Sequence, residues 1–150
     1  MQAQYDELVE ELLEQPYRVI DILPVQVPPE GASRFFAAEG YWLEPERLQA
    51  LYGRFAEVLV KLSCYADFHV YAGQQDSWLE HPQPGGLAEM VRSLVQNPAA
   101  FVNILVEGEG GKASLVTLTS GDLYMTLYAP WPELESLAAQ LAAAEGLFLR

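Results

Sequence analysis

The stretch EPERLQALYGRFAEVLVKLSCY, residues 44–65, decides the fold. Its apolar side chains Leu48, Leu51, Tyr52, Phe55, Val58, Leu59 and Leu62 recur every three or four positions, the period that gathers them into one stripe of an α-helix. Arg47, Arg54, Glu57 and Lys61 fall mainly on the other side, and Pro45 suits a first helical turn. Burying a large apolar side chain is worth about 1.5–3 kcal/mol, so a stripe this long requires an apolar sheet to pack on.

That sheet is sought on both sides of the helix. Downstream, residues 100–129 read as a three-stranded antiparallel meander. A two-residue Ser120-Gly121 turn would pair Thr117 with Tyr124 and Val116 with Met125, and a longer turn at 108–112 would set Val106 opposite Ser114. In that register Val102, Ile104, Val106, Val116, Leu118 and Met125 share one apolar face. Residues 66–72 alternate strictly, with Phe68 and Val70 on one side and Asp67, His69 and Tyr71 on the other. Upstream, residues 17–27 read as a strand whose second half is weakened by Pro24. Residues 34–43 read as a second strand with a bulge at Gly40.

The remaining helices are expected at 3–14, 87–96 and 133–145, the first ended by Pro16 and the last capped by Gly146. Residues 73–86 form a long loop in which Ser77 and Glu80 have the spacing of a capping box. The tail Leu147-Phe148-Leu149 is too apolar to hang free. The reading is one α+β domain over residues 1–150, in two layers. A mainly antiparallel sheet ends in a C-terminal meander, helices pack on one face of it, and helix 45–64 lies at the centre.

Eight basic against twenty-one acidic residues leave a net charge of −13. Phosphate backbones and anionic bilayers are bound through clustered lysine and arginine, so nucleic acid and membrane partners are not expected. The first helix is acidic where a secretory signal would be basic and then apolar, and the single cysteine has no disulfide partner, which suits a cytoplasmic setting.

With helices on the Val/Ile/Leu side, the opposite sheet face would carry Asp67, His69, Tyr71, Asn103, Leu105, Leu115, Thr117, Tyr124, Thr126 and Tyr128. Tyrosine offers a large apolar area, a polar tip and few rotatable bonds, and is enriched where proteins meet partners. Ordinary cross-strand packing would also favour Thr and Tyr here. Trp78 and His81 in the 73–86 loop stand at the margin of this face.

Catalytic patterns are sparse. Cys64 is expected buried beside the apolar stripe and out of phase with His69, so the two do not make a nucleophile and base. His69, His81, Asp67, Asp76 and Glu80 lack the spacing of a metal motif. Gly108-Glu109-Gly110-Gly111-Lys112 has the wrong glycine spacing for a phosphate loop and is followed by a strand. No cofactor is implied.

The leading expectation is a non-enzymatic cytoplasmic binding protein, an adaptor or an acidic inhibitor of a protein partner, that uses the Tyr/Thr face with Trp78 and His81 beside it. One rival is a small-ligand protein or enzyme with a pocket around Asp67, His69 and Tyr71 closed by the 73–86 loop. Another is a homo-oligomer, such as a homodimer, with the sheet face between copies.

Overall fold

The computed structural model describes residues 2–73 and 75–150, so residues 1 and 74, which the expected domain and 73–86 loop include, lie outside the described residues. The elements in chain order are α1 (Gln2–Leu13), β1 (Tyr17–Asp21), α2 (Ala32–Trp42), α3 (Pro45–Leu62), β2 (Asp67–Ala72), β3 (Ser77–Glu80), α4 (Pro84–Ser93), β4 (Phe101–Glu107), β5 (Ala113–Thr119), β6 (Tyr124–Tyr128), α5 (Pro132–Ala144) and β7 (Phe148–Leu149). All strands join one antiparallel sheet in the order β3-β2-β4-β5-β6-β1-β7. The architecture is α+β with an antiparallel sheet, as the sequence implies.

Helix α3 is the spine. All seven residues of its stripe are buried, together with Ala56, and they join Phe68, Val70, Ile104, Val116, Met125 and Leu127 of the sheet in the main core. Leu87 and Val91 of α4 and Leu134 and Ala138 of α5 complete the layer. The Tyr52 hydroxyl lies 2.9 Å from the carbonyl of Thr119 and 2.8 Å from that of Asp122, fixing the helix to the β5–β6 turn. After α5, Gly146 takes a left-handed φ of 73°, and Leu147 N–H donates to the Ala142 carbonyl at 2.8 Å. That cap turns the tail back to pair with β1, placing Leu149 opposite Ile20.

Four local expectations are corrected. Residues 34–43 are helical rather than a strand: Ala32–Trp42 contains no β-branched residue, and its half-buried Phe35, Glu39 and Trp42 recur at helical spacing. Within the expected 73–86 loop, Ser77–Glu80 is a strand instead of a capped turn, held opposite β2 with Trp78 beside Tyr71. The β5–β6 register is displaced by two residues, so Thr117 faces Thr126 and Val116 faces Leu127. The turn is longer than two residues because Asp122 N–H closes on the Thr119 carbonyl and the Leu123 side chain drops into the core. An even displacement preserves the faces, and Val106 does lie opposite Ser114. Finally, Cys64 is exposed, because α3 ends at Leu62 and the thiol falls in the turn beyond the buried stripe.

The helical layer is also not confined to one face. Helix α1 crosses the opposite side, where Val9 and Leu12 bury Leu105 and Leu115 in a second, smaller core. Those two leucines interrupt the otherwise polar outer face, and an apolar patch of that kind gains by being covered. Among the described residues no helix is long and apolar enough to cross a membrane.

Replacing Tyr52 by Phe should destabilise the fold by about 1–3 kcal/mol, since the two carbonyls of the β5–β6 turn would lose their buried donor. Urea titration of the Tyr52→Phe protein checks this.

Candidate functional site: a divided outer sheet face

The outer face is built from alternate residues of β2, β4, β5, β6 and β1, and α1 divides it into two parts of different character. The first lies under the N-terminal half of α1, at the β2–β3 hairpin. Here the Tyr5 ring stacks on His69 with centroids 4.9 Å apart, and His69 meets His81 edge-on at 5.3 Å. The Tyr5 hydroxyl donates to Glu80 at 2.6 Å, and this bond, with some burial, pushes the phenol up to about 12. Trp78 Nε1 donates to Asp6 at 3.1 Å, and Tyr71 donates to Asp76 at 2.5 Å. Five of the residues singled out from the sequence, Asp67, His69, Tyr71, Trp78 and His81, are thus gathered at this end.

They do not form an open pocket over His69. The residue is 6% exposed, Nε2 lies 3.5 Å from Glu107 Oε1, and Nδ1 is buried without a hydrogen-bond partner. Tyr5 of helix α1 stacks over it, and His81 at the end of the β2–β3 hairpin closes its edge. His81 Nδ1 and Asp67 stand 3.9 Å apart on exposed side chains, too far for a hydrogen bond. Among the described residues no group of three or more His, Cys, Asp or Glu is placed to hold a metal ion.

Asn103 and Thr117 form a half-buried strip beyond the first part, directly opposite one another on β4 and β5. Past them lies the second part, more open, in which Tyr128 alone packs against the small core sealed by α1. Tyr124 and Tyr128 flank the buried Thr126 on β6, and β1 contributes Tyr17 opposite Tyr128 and Val19 opposite Thr126. The rings of Tyr17 and Tyr128 are 5.5 Å apart. Tyr17 is 59% exposed and Tyr124 41%. Burial, then the nearby Asp122, raises the Tyr124 phenol, so the ring presents a neutral hydroxyl at neutral pH.

This tyrosine shelf continues into a groove of about 380 Å³ between residues 22–29, α2 and the β5–β6 turn, with Gln26, Tyr124 and Arg150 common to both. Arg150 is committed: its Nε and Nη2 donate to Asp21 Oδ2 at 2.9 and 2.6 Å. Tyr17, Val19 and this groove escaped the sequence reading because the place of β1 beside β6 is a long-range fact. The alternation of Tyr17, Val19 and Asp21 was a local signal of their shared face.

Two outcomes follow from this geometry. A Val9→Asp substitution should undock α1, so that amide exchange accelerates across residues 2–13 while β4 and β5 stay protected; hydrogen exchange with mass spectrometry checks it. Burial holds the Asp122 carboxyl above its ordinary value, which makes the ionised form the disfavoured one in the fold. That penalty is absent below the ordinary carboxylate range and present once pH exceeds the raised value. Calorimetry of Asp122→Asn should therefore show a higher Tm at about pH 7 and little change at about pH 3. No family model matches the chain, and neither the curated proteins nor the solved structures searched give a match.

Proposed function

We propose that this chain is a non-enzymatic binding protein of the cytoplasm whose contact surface for a protein partner is the open half of the outer sheet face, around Tyr17, Tyr124 and Tyr128. One observation carries the reading: α1 covers Leu105 and Leu115 and its small core ends at the half-buried Tyr128, leaving the Tyr17 and Tyr124 rings exposed on the paired strands β1 and β6. Rigid aromatic side chains order little on binding and supply most of the energy at many interfaces. Buried Thr126 gives the shelf a firm floor, and the adjoining groove offers it depth. The net charge of −13 favours a basic or neutral partner and opposes pairing of two copies.

The test has two parts. Light scattering at two concentrations and two salt levels should give a monomer; a concentration-stable dimer that Tyr17→Ala/Tyr124→Ala dissolves would instead assign the shelf to self-association. Affinity capture from cell extract, followed by purification of what is captured, should lose its partner with Tyr17→Ala/Tyr124→Ala and keep it with Tyr65→Ala, an exposed tyrosine beyond α3. Capture that persists in the double variant would overturn the reading.

A further inference from the structure

The geometry points to a specific kind of occupant for the groove beside the shelf: an extended segment of the protein partner that sets an apolar side chain into the groove and a lysine or arginine against Glu39 and Asp122. This rests on the shelf being the contact surface, and it names the chemistry that the surface selects.

The shape comes first. The groove opens over Ile22, Val27, Phe35 and Leu123, side chains contributed by the post-β1 segment, α2 and the β5–β6 turn. Leu123 is buried and belongs to the main core, so the floor is fixed by the fold rather than by a loose loop. A volume of about 380 Å³ accommodates one or two large side chains, and far less than a folded element.

The wall of the groove supplies the second argument. After β1 the chain continues through residues 23–27 without entering a helix or strand, and these residues make no hydrogen bond to another backbone group among the described residues. Leu23, Val25, Gln26 and Val27 each carry an N–H, and Pro24 alone does not. Val25 is 70% exposed. Residues 22–25 bend and are not a sheet edge, so the free donors and acceptors beside the groove offer an occupant individual main-chain bonds rather than a continuous ladder.

Charge then fixes the occupant's sign. Three carboxylates line the groove, and Arg150 already neutralises Asp21. Glu39 and Asp122 have no ion-pair partner among the described residues, and the Asp122 carboxylate accepts no hydrogen bond from a protein group there. Asp122 is partly desolvated without compensation, as its raised pKa records. An ammonium or guanidinium group placed beside it would offset that loss through a charge-assisted bond. A segment with an anionic side chain would add a like charge to the same site. A second copy of this chain is disfavoured by the repulsion that −13 on each would bring.

The probe is a labelled seven-residue peptide, acetyl-Ser-Val-Lys-Leu-Arg-Val-Ser-amide, titrated with the full chain by fluorescence anisotropy. Two companions have glutamate in place of the basic residues or N-methyl groups on alternate backbone nitrogens. The basic peptide should bind the wild type, the acidic one should not, and the N-methylated one should bind at least about tenfold more weakly, because each lost hydrogen bond leaves a partner unsatisfied. Glu39→Gln/Asp122→Asn should weaken the basic peptide by a similar factor, with circular dichroism confirming the fold. Unchanged affinity in that double variant overturns the inference, since it reduces the attraction to diffuse charge. Equal binding of the N-methylated peptide overturns it too, and so does absence of binding. These failures differ from failure of the shelf. If the tyrosine variant loses its partner while groove variants bind peptide like the wild type, the shelf stands and the inference falls. If the tyrosine variant retains its partner, the shelf reading falls whatever the peptides do.

Discussion

The burial of one helical stripe against one face of one sheet is the constraint on which this molecule depends. Helix α3 sends Leu51, Tyr52, Phe55, Val58 and Leu59 into the core at essentially zero exposure, and β2, β4, β5 and β6 answer with their own alternating apolar residues. Because a strand's side chains alternate, committing Val and Ile to α3 commits the intervening residues to the other side. The outer face is thus a consequence of the inner one. Its composition was never free to be chosen by packing alone.

On that outer face the decisive residues are Leu105 and Leu115. They sit opposite one another on β4 and β5, and being apolar they draw in α1, whose Val9 and Leu12 seal them. The position of α1 follows, and with it the fate of everything nearby. His69 is enclosed beneath Tyr5, with one ring nitrogen close to Glu107 and the other unpartnered. Tyr128 closes the edge of that small core, while Tyr17 and Tyr124 lie outside it and remain at the surface. One small apolar contact therefore separates a closed half-face from a more open one.

The groove beside that surface has its own logic. Arg150 reaches Asp21 because β7 is short and pairs only with the end of β1, which brings the C-terminal side chain over the groove rather than away from it. That leaves Glu39 and Asp122 as the groove carboxylates without an ion-pair partner among the described residues. The polar character of the site thus depends on a register between elements at opposite ends of the chain.

Much of this was legible in the residues. The period of α3, the parity of β2, β4, β5 and β6, the cap at Gly146 and the docking of the apolar tail are local patterns, and local patterns survive folding because they reflect backbone geometry. The parity survived even a two-residue displacement of the β5–β6 register. Residues 34–43 misled because aromatic side chains suggested a strand, while the absence of β-branched residues was the better guide. By itself the sequence determined which residues share a face, where the spine lies and what charge the surface carries. Only the tertiary structure decided that α1 would cross the outer face, that β1 would stand beside β6, and that Cys64 would be exposed. Those outcomes turn on competition between distant apolar surfaces for burial, and that competition is settled by the whole chain at once.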